Sequence, residues 1–210
     1  MSELLDTYKL DDTFIGAEER AIFYSEAKKE FEEKGLISKK IKTIRVILMN
    51  SQGKICLQKR SESKDENSNL YDKTIGGHVT AGSTFEMTVI KECAEELGFP
   101  ATILSKEEFN QAINSIDLKI IGVFKKIDYI PDFESVRVLK DGKKFTQTYM
   151  TEIYVGYYDG AIRFVDGESS GVEIFSLEQL KKDITENPNK FTEDLKFMVN
   201  KYSDFLVPIK

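Results

Sequence analysis

From Ile41 to Met49 apolar and polar side chains alternate and β-branched residues are frequent, the period of a strand with one face in the core. Asn50-Ser51-Gln52-Gly53 follows as a turn, and Ile55, Cys56 and Leu57 continue as a second strand, so the pair reads as a hairpin. The period then changes to four. Val89, Cys93 and Leu97, with Ile90 beside them, make one apolar stripe of an α-helix. Ser83 and Glu86 have the spacing of a capping box at its start, and Gly98 stands where a left-handed residue usually stops a helix.

The same reading predicts a helix over Ala17 to Lys34, ending at Gly35, with Phe23, Ala27 and Phe31 as its apolar stripe. A short helix over Ser105 to Asn114 begins with Ser105 and Glu108 in capping-box spacing. Strands follow at Asp117 to Tyr129, Glu134 to Leu139, Lys144 to Tyr158 and Ala161 to Val165, with turns at Asp141-Gly142 and Asp159-Gly160. Helices over Leu177 to Asp183 and Thr192 to Tyr202 close the chain. Helices around a mixed β-sheet predict an α/β/α sandwich. The expected division is an N-terminal helical extension, residues 1–38, and one domain, residues 39–210. The extension has three possible roles: packing on the domain, covering a cleft, or forming a homodimer, and packing is the default.

Composition narrows the class. A chain of 210 residues with 40% hydrophobic content is enough for one sizeable core. The net charge of −6 argues against a nucleic acid polymer or a membrane surface as partner. Cys56 and Cys93 lack metal spacing and read as core packing. The N-terminus has neither a basic region nor a long apolar run, so a cytoplasmic protein is expected.

The face of the Val89 helix away from its stripe is acidic. At 100° per residue Glu95 and Glu96 flank Glu92 one turn on, and three carboxylates so placed repel one another. Such a face is either a solvated surface or a site for a hard divalent cation. Mg²⁺ is typically held by one or two carboxylates together with substrate phosphates.

The stretch from Gly77 to Phe99 resembles the Nudix box, whose pattern is G-x5-E-x7-REUxEExGU with U bulky and apolar. Gly77 takes the first position, Glu92 the glutamate after the basic residue, Cys93 the first U, Glu95 and Glu96 the acidic pair, Gly98 the glycine and Phe99 the last U. Ser83 stands where the pattern has its first glutamate, and Lys91 where it has arginine. The preceding hairpin, the basic cluster of Lys59, Arg60 and Lys64, the Gly76-Gly77-His78 run and the C-terminal FTEDL are similar to the branch near isopentenyl diphosphate isomerase. The resemblance covers most of residues 40–205.

The resemblance implies a hydrolase that cleaves the diphosphate linkage of a nucleoside diphosphate derivative or a similar small organic diphosphate, with Mg²⁺ or Mn²⁺ as cofactor. It implies that Glu92 and Glu96 bind metal, that Glu95 binds a second ion or orients water, and that Glu152 is a further ligand or base. Glu168 and Glu173 are second choices for that role. Glu95, Glu96 and Glu152 are thus the expected catalytic acids. It implies diphosphate contacts for Arg60 and Lys64, and close backbone approach at Gly76 and Gly77. His78 is expected to be structural and Gly82 to shape the loop.

Isomerase activity is disfavoured. Gly76 occupies the place of the isomerase cysteine nucleophile, His78 is the chain's single histidine, and Glu92 replaces a basic residue. Ser83 and Lys91 also leave open a non-catalytic ligand-binding domain. Tyr129, Tyr149, Tyr154, Tyr157 and Tyr158 read as packing residues, with one or two available to stack on a nucleobase.

Overall fold

The computed structural model describes residues 2–163 and 169–209. It begins with an antiparallel hairpin of β1 (Leu4–Lys9) and β2 (Phe14–Glu19), which runs straight into α1 (Arg20–Lys34). The helix predicted from Ala17 therefore starts three residues late. Ala17, Glu18 and Glu19 pair with Asp6, Leu5 and Leu4, and a strand partner overrides local helical preference. The N-terminal segment is a hairpin plus a helix rather than helical throughout. Gly35, at φ 72°, ends α1 in the left-handed conformation.

Next come β3 (Lys39–Met49), β4 (Ile55–Arg60), β5 (Tyr71–Asp72), β6 (Ile75–His78) and α2 (Phe85–Glu96). β7 (Ala101–Ile103), α3 (Lys106–Ala112), β8 (Gly122–Val138) and β9 (Lys144–Tyr157) follow. The chain ends with β10 (Ser169–Phe175), α4 (Leu177–Glu186) and α5 (Glu193–Lys201). β3 is the hub: it pairs in parallel with β9 and antiparallel with β1, β4 and β6. The sheet is thus mixed, as predicted.

Alternation along β3 sends its two faces into different cores. Ile44, Val46 and Leu48 pack with Val89, Cys93 and Leu97 of the α2 stripe. Ile47 and Met49 pack with Leu180 of α4 and with Leu195, Met198 and Val199 of α5. All of these side chains are fully buried, which contributes roughly 1.5–3 kcal/mol for each large aliphatic group. Helices on both faces of one mixed sheet make the α/β/α sandwich.

Three expectations need correction. The two strands predicted over Asp117 to Tyr129 and Glu134 to Leu139 are one strand, β8, and Pro131 lies where its register with β9 shifts between Ile130 and Phe133. A bulge there accommodates a residue that has no N–H to donate. Ala161 to Arg163 form no strand, Phe164 and Val165 lie outside the described residues, and the strand in this region is β10, paired with β4. The cap of α2 is Thr84, whose hydroxyl accepts from Met87 N at 3.1 Å, not Ser83. The Ser105–Glu108 capping box of α3 is present as predicted. Among the described residues no helix is long and apolar enough to cross a membrane.

Candidate active site

Two adjacent glycines of β6 face opposite sides of the sheet. Gly77 pairs with Ile44, which pairs with Glu152, so these three residues form one row across β6, β3 and β9. Gly76 pairs with Arg45, which pairs with Ile153, in the next row. Successive residues of a strand alternate, so the first row faces α2 and the second faces α5.

On the α2 side, a Cβ on Gly77 would stand 2.9 Å from Oε1 of Glu92. The missing side chain leaves the space that this carboxylate fills. Burial raises the Glu92 pKa; Lys91 opposes that rise and the Glu95 charge adds to it, while a hydrogen bond links Glu92 to Glu96. Glu95 is exposed and pairs with Lys91 at 3.5 Å. The lysine at the pattern's arginine position thus leans on the outer glutamate.

Glu152 is buried beneath the same face. Its carboxylate accepts from the Tyr154 hydroxyl and from Lys126 Nζ at 3.0 Å, and burial together with that carboxylate pushes the Tyr154 pKa far up. Among the described residues no three acidic, histidine or cysteine side chains converge closely enough to hold a metal ion. The predicted set of Glu92, Glu95, Glu96 and Glu152 is therefore not gathered into a cage: Glu95 turns to Lys91, and Glu152 to Lys126 and Tyr154. The donors still suit a hard divalent cation, because oxygen ligands of like charge are held together at Glu92 and Glu96, with the Gly77 gap behind them. Glu168 lies outside the described residues. Glu173 is on β10 and hydrogen-bonds Tyr71, whose pKa rises to about 12 as a result.

Gly76 borders a cavity of about 300 Å³ that brings Arg60, Lys64, Gly76 and Gly77 together, four residues singled out from sequence. Seven basic side chains line it against three acidic ones, in a chain that is acidic overall. Sequence reading missed Arg45, Lys73 and Arg137, as well as Arg20 and Lys28, which α1 contributes. A lone arginine inside the buried strand KIKTIRVILM was the available signal for Arg45. Arg20, Tyr24 and Lys28 are spaced by four, so one face of α1 forms a wall of the cavity.

Buried acids hold the cavity floor. Arg45 Nε donates to Asp194 at 2.9 Å, and its Nη1 donates to the Thr43 and Thr151 hydroxyls, each at 2.8 Å. Lys73 lies 3.1 Å from Asp72 and 3.6 Å from Asp194. Arg60 lies 3.5 Å from Asp72, and Thr192, the cap of α5, donates to Asp72 at 2.7 Å. Burial alone would raise the Asp194 pKa, but Arg45, Lys73 and Arg137 outweigh it and hold the carboxyl well below the usual range. Tyr24 Oη is 2.6 Å from His78 Nε2 and 3.2 Å from Tyr149 Oη. Burial and the surrounding cations push the His78 pKa well down, so the ring is neutral and hydrogen-bonded. Of the five tyrosines, Tyr149, Tyr154, Tyr157 and Tyr158 are buried and Tyr129 is exposed against Phe85.

Comparison with known proteins adds to this geometry. An isopentenyl-diphosphate Delta-isomerase of Serratia proteamaculans is 25% identical over 193 residues, 91% of this chain and 87% of that protein. The crystal structure of DR0079 from Deinococcus radiodurans shares the fold at a TM-score of 0.62 and 21% identity, covering 95% of this chain and 98% of that one. A bifunctional NMN adenylyltransferase/ADP ribose pyrophosphatase from Francisella tularensis, complexed with AMP and a Mn ion, aligns at a TM-score of 0.50 and 15% identity over 89% of this chain and 47% of that one. The model of the NUDIX domain matches residues 39–195, from the first residue of β3 into α5, and by that match the chain belongs to the Nudix family.

Proposed function

We propose that this protein is a Nudix hydrolase that cleaves the diphosphate linkage of a nucleoside diphosphate derivative or a similar small organic diphosphate, with Mg²⁺ or Mn²⁺ as cofactor. One observation carries the reading: Gly77, whose missing side chain leaves the space that the Glu92 carboxylate fills, also lines a strongly basic cavity. A diphosphate needs both cations for its oxygens and acids that hold a metal and a water. Family membership supports hydrolysis in general. The Mn ion and AMP in the Francisella structure support a divalent metal and a nucleotide-like substrate.

In this reading Glu92 and Glu96 hold the ion, with Glu95 and Glu152 as further ligands, and the ion would supply charge neutralisation and an acidified water. Arg60 and Lys64 orient the diphosphate. Exposed Gly76 lets phosphate oxygens approach the backbone. Glu152 or Glu95 takes the proton of the attacking water, and for Glu152 that requires release from Lys126 or Tyr154. Positive charge confined to a cavity in an acidic chain suits a small-molecule substrate better than a nucleic acid polymer. A cytoplasmic site of action, and residues 1–38 as an extension that completes the cavity of a domain at 39–210, belong to the same proposal.

The isomerase alternative is disfavoured by more than its missing cysteine. A Cβ at position 76 would stand 2.6 Å from Lys73 Cε, so a side chain there would have to shift the lysine from its place beside Asp72 and Asp194. A ligand-binding domain without turnover is the second reading, favoured by the dispersed carboxylates.

The test is incubation with Mg²⁺ or Mn²⁺ and a panel of nucleoside diphosphate sugars, dinucleotides, nucleoside triphosphates and isopentenyl diphosphate, beside a Glu96→Gln control. Hydrolysis of at least one diphosphate, lost in the control, is expected. Binding without turnover across the panel would replace this reading with the second. Undiminished turnover by Glu96→Gln would remove the site assignment.

A further inference from the structure

Arg137, on β8, lines the same cavity, but its neutralisation differs from that of its neighbours. Arg45 has Asp194 at 2.9 Å, and Lys73 has Asp72 at 3.1 Å. Arg137 has a hydroxyl and a ring as its direct contacts, while Asp194 and Glu66 act on its charge from further off. Its Nη2 donates to Tyr149 Oη at 3.4 Å, and the guanidinium carbon lies 5.7 Å from the centre of the Tyr149 ring. Among the described residues its buried Nε has no hydrogen-bond partner. A guanidinium carries five N–H donors and keeps its charge at any working pH, so neutral partners relieve neither need fully. A buried donor left unsatisfied is costly, and where one persists it calls for an explanation beyond packing.

The surroundings indicate what is missing. Arg137 donates to Tyr149, which continues by hydrogen bonds through Tyr24 to His78, and this chain of neutral groups adds no negative charge. Arg20 and Lys28 of α1 line the same cavity, each paired with a carboxylate, Glu3 at 2.9 Å and Glu66 at 3.3 Å. Planar, bidentate capture of two oxygens is what a guanidinium does better than any other side chain.

We propose that Arg137 binds a phosphoryl group of the substrate within this cavity, while Arg60 and Lys64 hold the rest of the diphosphate. The inference rests on the reading that the cavity receives an organic diphosphate, but it needs no turnover.

Methylenediphosphonate, whose bridging carbon resists hydrolysis, is titrated calorimetrically into the full chain in the presence of EDTA, beside Arg137→Met, Arg137→Lys and Lys182→Met. Arg137→Met should weaken binding about tenfold or more, Arg137→Lys should recover part of the loss by keeping charge without the fork, and Lys182→Met, which removes an exposed α4 cation outside the cavity, should bind like the wild type. Without ligand, the thermal midpoint of Arg137→Met should hold or rise, because a buried donor without a partner has gone, whereas removal of a structural arginine would lower it. If Arg137→Met does not fold, Arg137→Gln carries the same expectations. Undiminished affinity in the neutral variants of Arg137, or no binding by the wild type, would overturn the proposal. An equal loss of binding in Lys182→Met would overturn it too, because affinity would then follow net charge and not the cavity. Failed hydrolysis with the expected affinity pattern would remove the hydrolase reading alone.

Discussion

Gly77 and Glu92 occupy complementary space: the carboxylate of one lies where the other has no side chain, with Oε1 2.9 Å from the position a Cβ would take. Gly77 has an ordinary backbone conformation, so an alanine there is strained by contact and not by φ. Gly77→Ala should therefore fold and displace Glu92. If Glu92 holds the metal, a shift of about 1 Å is expected to cost on the order of 10²-fold in kcat. Single-turnover kinetics beside circular dichroism would check this, and unchanged turnover in a folded variant would show that Glu92 need not stay where it is.

Asp194 anchors the cavity floor to α5 through Arg45, Lys73 and Ser135. Asp194→Asn keeps the shape and removes the charge, leaving Arg45 without its carboxylate in a buried setting. Breaking such a pair from one side typically costs about 3–5 kcal/mol. Urea unfolding of the variant should show a loss of that order with little change in the slope. A loss below about 1 kcal/mol, the range of an exposed pair, would mean that water reaches this network.

Acid should destabilise the fold in two stages. His78 is neutral in the folded chain, its pKa pushed well below 6.5 by burial and by Arg20, Arg137, Arg45 and Lys73. The unfolded chain binds a proton there below about pH 6.5 while the folded chain does not, so stability falls as pH drops through that value. Asp194 and Asp72 are held below the ordinary carboxylate range, so their contribution is complete above about pH 4 and is lost as pH falls further. Thermal midpoints from pH 7.5 to pH 3 should show both stages, and His78→Gln should flatten the first. A wild-type midpoint that stays level between pH 7 and pH 5 would contradict a neutral buried His78.

What sequence revealed and what it hid divide along physical lines. Periodicity located α2, the β3–β4 hairpin and the C-terminal helices, because each buries a stripe set by local spacing. It misplaced the start of α1, since Ala17 to Glu19 are fixed by pairing with β1, a partner ten or more residues away. It split β8 at Pro131, where a bulge carries the strand through. In the candidate site, Glu92, Arg60 and Lys64 were legible because the box spacing and the basic cluster are local. Arg45, Lys73 and Arg137 were not, because they lie on β3, on the link between β5 and β6, and on β8, and only the folded sheet brings them to one cavity. The dispersal of Glu95 and Glu152 to Lys91, Lys126 and Tyr154 was equally out of reach, being a matter of side-chain partners.

The shift of the α2 cap from Ser83 to Thr84 changes what position 83 can tolerate. Ser83 N donates to Thr80 O, a backbone bond that any residue but proline preserves, while the hydroxyl that caps α2 belongs to Thr84. Thr84→Ala should cost about 1 kcal/mol of stability, and Ser83→Ala much less. Position 83 is thus available for the glutamate of the Nudix pattern without loss of the cap. Lys91 lies 3.5 Å from Glu95, and an arginine there would add a second donor to the same contact. Ser83→Glu with Lys91→Arg should therefore leave the thermal midpoint within a few degrees of wild type and raise kcat/KM on whichever diphosphate is turned over, with Mn²⁺ affinity rising in parallel. Unchanged activity and metal affinity in the double variant would mean that neither departure from the pattern limits this enzyme, and that the site is completed by residues outside the box.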